Sequence, residues 1–103
     1  MKTVKELLRF ARGRVSLPGS WCRGWEKENA VCVVHALHLG MSDEDWQSGE
    51  RVYDHAIKLV AEAADCPSTG PSLGWKNDIA THEEVIEWLD KAILKCDETV
   101  AGT

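Results

Sequence analysis

The sequence is short of several things, and each shortage excludes a class of protein. It has no unbroken apolar run approaching the roughly 18 residues that a transmembrane helix needs, so no stable membrane insertion is expected. Its first residues, MKTVKELLRFARGRV, break their apolar positions with charge, unlike the core of a secretory leader. An intracellular, cytoplasmic protein is the expectation. There is no C-x-x-C pair: Cys22, Cys32, Cys66 and Cys96 lie ten or more residues apart, which points to free thiols rather than a disulfide framework.

Excess positive charge is missing too. The formal net charge is −5, and only residues 1–14 are basic, with five Lys or Arg against one Glu, which leaves −9 on the remainder. A nucleic-acid footprint needs more basic surface than one helix supplies, so no nucleic-acid partner is expected. Two readings of the basic segment stand. It is a solvated face that also attracts acidic helices of the same chain, or an amphipathic anchor on a membrane, for which it is short and lacks Trp on its apolar side.

What is present reads as helix. A chain of 103 residues makes one domain that buries roughly two-thirds of its unfolded surface, enough for a core without metal or disulfide staples. Thr3-Val4-Lys5-Glu6 has the form of a capping box, and Val4, Leu7, Leu8, Ala11 and Val15 follow at helical spacing until Gly13, Pro18 and Gly19 close the element. Asn29 caps the apolar run AVCVVHALHL, ended by a left-handed Gly40, although Val31, Val33 and Val34 leave a strand open there. Ser42 starts a third helix carrying Trp46, Tyr53, Ile57, Val60 and Ala64, interrupted at Gly49 and stopped by Pro67. Thr81-His82-Glu83-Glu84 opens a fourth, with Val85, Ile86, Leu89, Ala92, Ile93 and Cys96 on its inner face. The expected fold is all-α: a compact bundle of four helices in residues 1–96, a flexible tail at 97–103, and two long loops, 14–28 and 67–80, that contain Trp21, Trp25 and Trp75. Tryptophans in such loops either pack the loop onto the body or face a ligand, which makes these three the candidate binding residues.

The stretch WKNDIATHEEV, residues 75–85, invites two readings. As a helix entrance it accounts for Thr81 and Glu84, while His82 sits at the first helical position, which tolerates many residues. Asn77 and Asp78 then order the turn through their side-chain oxygens, or cap the second or third helix. As an active-site loop it supplies polar groups to a nucleophile elsewhere.

AVCVVHAL and LGWKNDIATHEEVIEWLDKAI together resemble a small family of unknown function from actinobacteria and their phages. Its pattern runs W-C-x-x-G-A-L, then W-N-D, then T-H-x-E-V and a final helix ending D-x-A-I. Cys32 matches the family cysteine, Trp75 its tryptophan, Asn77 and Asp78 its N-D, and Thr81, His82, Glu84 and Val85 its T-H-x-E-V. TVKELLRFAR and LPGSW also fit. His35 replaces a Gly, Val31 a Trp, and Lys76 is inserted between Trp and Asn. The resemblance implies a constellation of Cys32, Asn77, Asp78 and His82.

As chemistry, that constellation has three readings. A thiolate at Cys32, with His82 to lower its pKa and Asn77 or Asp78 to orient the ring, fits a Cys-His hydrolase or transferase. Against this, a cysteine in an apolar helix is usually a small buried hydrophobe. Cys32, His35, His38 and His82 supply N and S ligands, but not at the spacing of a zinc motif, so no metal and no cofactor is expected. The third reading is a structural clasp. No strong catalytic motif is present, and the expected role is that of a phage-derived accessory protein that binds a host protein, with self-association left open and the Cys-His enzyme as alternative.

Overall fold

The computed structural model describes residues 2–48 and 51–101. Among them are six helices, α1 (Val4–Val15), α2 (Val33–Leu39), α3 (Asp43–Gln47), α4 (Arg51–Ala64), α5 (Gly70–Asp78) and α6 (His82–Ala101), and two short strands, β1 (Glu26–Lys27) and β2 (Ala30–Val31). The chain is mostly helical, as its apolar periodicity implies, but it is not a four-helix bundle.

The first helix forms as its cap dictates. The Thr3 hydroxyl accepts from the Glu6 amide and the Glu6 carboxylate accepts from the Thr3 amide, while Leu7, Leu8, Ala11 and Val15 are buried. The helix runs through Gly13 to Val15, because a single Gly weakens a helix without ending it. Two of its cations turn toward the acidic α6: Lys5 pairs with Asp97, and Arg12 Nε lies 2.9 Å from Asp90. The solvated-face reading of the basic segment thus describes the contact it makes.

Residues 26–31 depart from expectation. They form a hairpin in which Glu26 faces Val31 and Lys27 faces Ala30, turning at Glu28 with φ +57°. Asn29 therefore stands in this turn and is not a helix cap. Cys32 caps α2 instead, its Sγ accepting from the His35 amide at 3.3 Å. The β-branched pairing of Val31, which also bridges to Trp21, outweighs its place in an apolar run. Buried from Val33 through Leu37, α2 fills the middle of the molecule. Gly40 ends it with φ −74°, not in the left-handed region. A Cβ there would meet Leu7 Cδ1 and lie 2.8 Å from Phe10 Cδ1, so Gly40 is needed for the close approach of α2 to α1.

The expected third helix is two. Ser42 caps α3 with Asp45 reciprocating, and α4 begins at Arg51; Gly49 lies outside the described residues. At the end of α4, Asp65 adopts φ +58°, with Asp65 N–H donating to Glu62 O and Cys66 N–H to Ala61 O, a Schellman closure before Pro67. The expected loop 67–80 contains α5, capped by Thr69 with Pro71 in its first turn. Trp75, Asn77 and Asp78 thus stand on a helix. α6 starts at His82 and continues through Ala101, across most of the segment expected as a tail.

In the core, α1 lies against α2, α4 and α6, and α4 also packs on α6 and α5. Leu7, Leu8, Leu37, Val60, Leu73, Val85 and Leu89 are all fully or almost fully buried there. The radius of gyration, 12.7 Å, matches the roughly 13 Å of a compact 100-residue domain. No helix among the described residues is long and apolar enough to cross a membrane.

Candidate functional site

Asn77, fully buried, is the centre of the site that the sequence singled out. Its Oδ1 accepts from Trp21 Nε1 at 2.7 Å and from the Val33 amide at 3.1 Å, and its Nδ2 donates to Cys22 O at 3.1 Å. This pattern fixes the orientation of the amide, since a flipped group would point N–H at N–H. Val33 is the first residue of α2, so Asn77 reaches from the end of α5 to satisfy an orphan amide at the start of α2. The same side chain pins the loop that carries Trp21 and Cys22.

His82 completes the clasp. Its Nε2 is hydrogen-bonded to Val15 O, the last residue of α1, and because a carbonyl only accepts, the proton is on Nε2. The ring lies flat against the Trp21 indole, with centres 5.5 Å apart and planes 6° from parallel. Thr81 and Glu84 form their capping box as expected, the Glu84 amide donating to Thr81 Oγ1 and the Thr81 amide to Glu84 Oε1. Asp78 is exposed and accepts from the Gly24 amide at 2.6 Å, where Gly24 takes φ +81°. Arg23 donates from Nε and Nη2 to Ala80 O, adding a third tie between the loop and the α5–α6 connection.

Cys32 has other partners. Its thiol is buried and capped by the His35 amide, and burial pushes its pKa up. No hydrogen bond joins Cys32 to His82 among the described residues, and each is held by different neighbours. The structure brings Asn77 and His82 together through Trp21; it places Cys32 and Asp78 along a separate cavity. All four cysteines are unpaired, and no group of three or more His, Cys, Asp or Glu among the described residues is placed to hold a metal.

That cavity, of about 360 Å³, is walled by Gly24, Trp25, Cys32, Tyr53, Gly74 and Asp78, among others. Trp25 is held in it at both its carbonyl and its ring. Its carbonyl accepts from the Cys32 amide at 3.2 Å and from His35 Nδ1 at 3.0 Å, and its indole stacks on the His35 ring with centres 4.2 Å apart. His38 meets Trp25 and Tyr53 edge-on, at 5.8 and 6.2 Å, and Trp46 lies 5.0 Å from His38. Sequence reasoning missed Tyr53, His35 and His38 as parts of one aromatic cluster with Trp25. The one available signal was the three-residue spacing of His35 and His38 on α2, which puts them near one face but does not show the cavity.

The family model of a family of unknown function, DUF6197, matches residues 1–95. The chain belongs to that family. The match spans the clasp, the cavity and every element from α1 into α6, so the DUF6197 match covers the whole site and not one motif. No curated protein and no solved structure matches the chain.

The three candidate binding tryptophans separate in the DUF6197 fold. Trp21 is half-buried and spent on the clasp. Trp25 is 48% exposed over the cavity, and Trp75 is 64% exposed on α5. Trp75 borders a second hollow of about 490 Å³, between the end of α4 and α5.

Proposed function

We propose that this is a phage-derived accessory protein of the host cytoplasm that works by non-covalent capture of a host protein at the Trp25 cavity. The observation that carries this reading is the state of Trp25: both its carbonyl and its ring are held, yet the residue is 48% exposed. A large aromatic that is ordered beforehand and left wet loses little entropy when a partner covers it, which is the property of an interface anchor. Trp75 and Ile79 extend exposed apolar surface along α5. The actinobacterial phage origin, and with it the host, rests on the resemblance of WKNDIATHEEV and AVCVVHAL to that family.

Catalysis by Cys32 and His82 has no comparable support, since the imidazole that would activate the thiol is engaged by Val15 O and Trp21. The test is affinity capture from an actinobacterial lysate with the wild-type chain, Trp25→Ala and Gly74→Leu, followed by reconstitution with the purified captured protein. A single partner that binds the wild type directly and is lost with both variants supports the proposal. Capture unchanged by both variants rejects it.

A further inference from the structure

Resting on that reading of the cavity, we infer that it takes the ammonium group of a lysine side chain presented by the partner protein. The walls fit a cation at the end of an apolar stem. Trp25 and Tyr53 offer indole and phenol rings, whose faces attract cations, and Gly74 and Val34 leave an apolar lining for methylenes. Asp78 stands on the same lining and supplies a negative charge. Among the described residues no Lys or Arg lines the cavity, and Arg23, the nearest in sequence, is turned to Ala80 O. The body of the chain is also complementary: residues 15–103 carry −9.

The carboxylate decides between the two long cations. Asp78 Oδ1 already accepts from the Gly24 amide, which commits one oxygen of the carboxylate. A guanidinium is best matched by a carboxylate with both oxygens free, in a bidentate fork, whereas an ammonium needs a single acceptor and a place for its stem. At about 360 Å³ the space is at the lower end of the roughly 300–1,000 Å³ of small-molecule pockets, suited to one inserted side chain.

Gly74 provides a means of closing the site without disturbing the fold. A Cβ there meets nothing closer than Val34 Cγ2 at 4.0 Å, so a longer side chain at 74 enters the cavity. The experiment follows amide and indole signals of the isotope-labelled chain by nuclear magnetic resonance during titration with N-acetyl-lysine amide, N-acetyl-arginine amide and N-acetyl-norleucine amide. Norleucine carries a matching apolar stem without the charge. The lysine probe is expected to move the signals of Trp25, Gly74 and Asp78 and to bind roughly tenfold more tightly than the norleucine probe. Arginine should bind more weakly than lysine. Asp78→Asn, which keeps the acceptor for Gly24, should narrow the gap between lysine and norleucine, and Gly74→Leu should abolish both responses while leaving the remaining spectrum in place.

Equal binding of lysine and norleucine to the wild type, or no response at Trp25 and Gly74, overturns the lysine assignment. Stronger binding of arginine overturns the choice between the cations. Because these titrations need no partner, their failure is distinct from failure of the capture reading: a partner lost on Gly74→Leu but indifferent to the lysine probe leaves an apolar anchor in the cavity and no cation.

Discussion

The imidazole of His82 lies parallel to the indole of Trp21 while its Nε2 is bonded to the last residue of α1, Val15. Trp21 in turn donates to Asn77, which reaches the first amide of α2. The start of α6, the end of α1, the loop, the end of α5 and the start of α2 are thereby tied at one point. Of the residues that suggest an active site in the sequence, Asn77 and His82 are engaged in this junction, and Trp25, beside it, is left 48% exposed.

The clasp sets an order of stabilities. Asn77→Ala strips the Val33 amide and Trp21 Nε1 of their acceptor, and at about 1–3 kcal/mol for each buried group the loss should reach about 3 kcal/mol or more. His82→Ala should cost about 1–2 kcal/mol through its hydrogen bond and its stacking, more than a tolerant first helical position implies. Thr81→Ala should cost about 1 kcal/mol as a lost cap. Urea denaturation of the three variants measures this directly; an Asn77 variant less than about 1 kcal/mol below wild type contradicts the clasp.

Two glycines should respond in opposite directions. Gly13 is inside α1 with nothing within 4 Å of an added Cβ, so Gly13→Ala should stabilise the fold by roughly 0.5–1 kcal/mol. At Gly40 the added carbon runs into Leu7 and Phe10, and Gly40→Ala should destabilise by about 1–3 kcal/mol. Melting temperatures of the pair check both signs.

Burial should make Cys32 a slow thiol. Its folded pKa is raised above the ordinary 9.0 by desolvation, so the thiol form is favoured, and the stability linked to it is full below 9.0 and lost as pH rises through the folded value. At neutral pH an alkylating reagent should label the half-buried Cys22, Cys66 and Cys96 first and Cys32 only as the chain unfolds. Peptide mapping of labelled samples reads the order, and early labelling of Cys32 reopens the nucleophile.

Acid should reach the fold through Asp45. The Lys2 and Ser42 amides hold its carboxyl at about 2, below the ordinary 3.8, so its contribution is complete above 3.8 and disappears as pH falls through about 2. Between those values wild type should lose stability more steeply than Asp45→Asn, and equal acid slopes in the two proteins would exclude this role.

The helix starts that were legible are local ones. Thr3 with Glu6, Ser42 with Asp45, and Thr81 with Glu84 satisfy amides three residues away, so spacing alone reveals them. α5 was hidden because its buried positions are Leu73 and the polar Asn77, so it shows no apolar stripe, although Thr69 and Pro71 mark its start. Cys32 as a cap depends on the hairpin that precedes it. Asn77 could be singled out but not explained, because its partners Trp21, Cys22 and Val33 lie 56, 55 and 44 residues away, and no pattern in one segment encodes such a meeting. The cavity was illegible for the same reason: Trp25, Tyr53 and Gly74 come from three separate elements.

The most direct test of capture without covalent chemistry is calorimetric titration of the purified partner with wild type, Cys32→Ala, Trp25→Ala and Gly74→Leu. Loss of the anchor in Trp25→Ala, and filling of the cavity in Gly74→Leu, are each expected to weaken binding by roughly 30-fold, the equivalent of about 2 kcal/mol. Cys32→Ala, where it folds, should bind as wild type does, because its thiol is buried and engaged by the His35 amide. A folded Cys32→Ala that no longer acts on the partner, beside Trp25→Ala and Gly74→Leu variants that bind at full strength, would contradict the account.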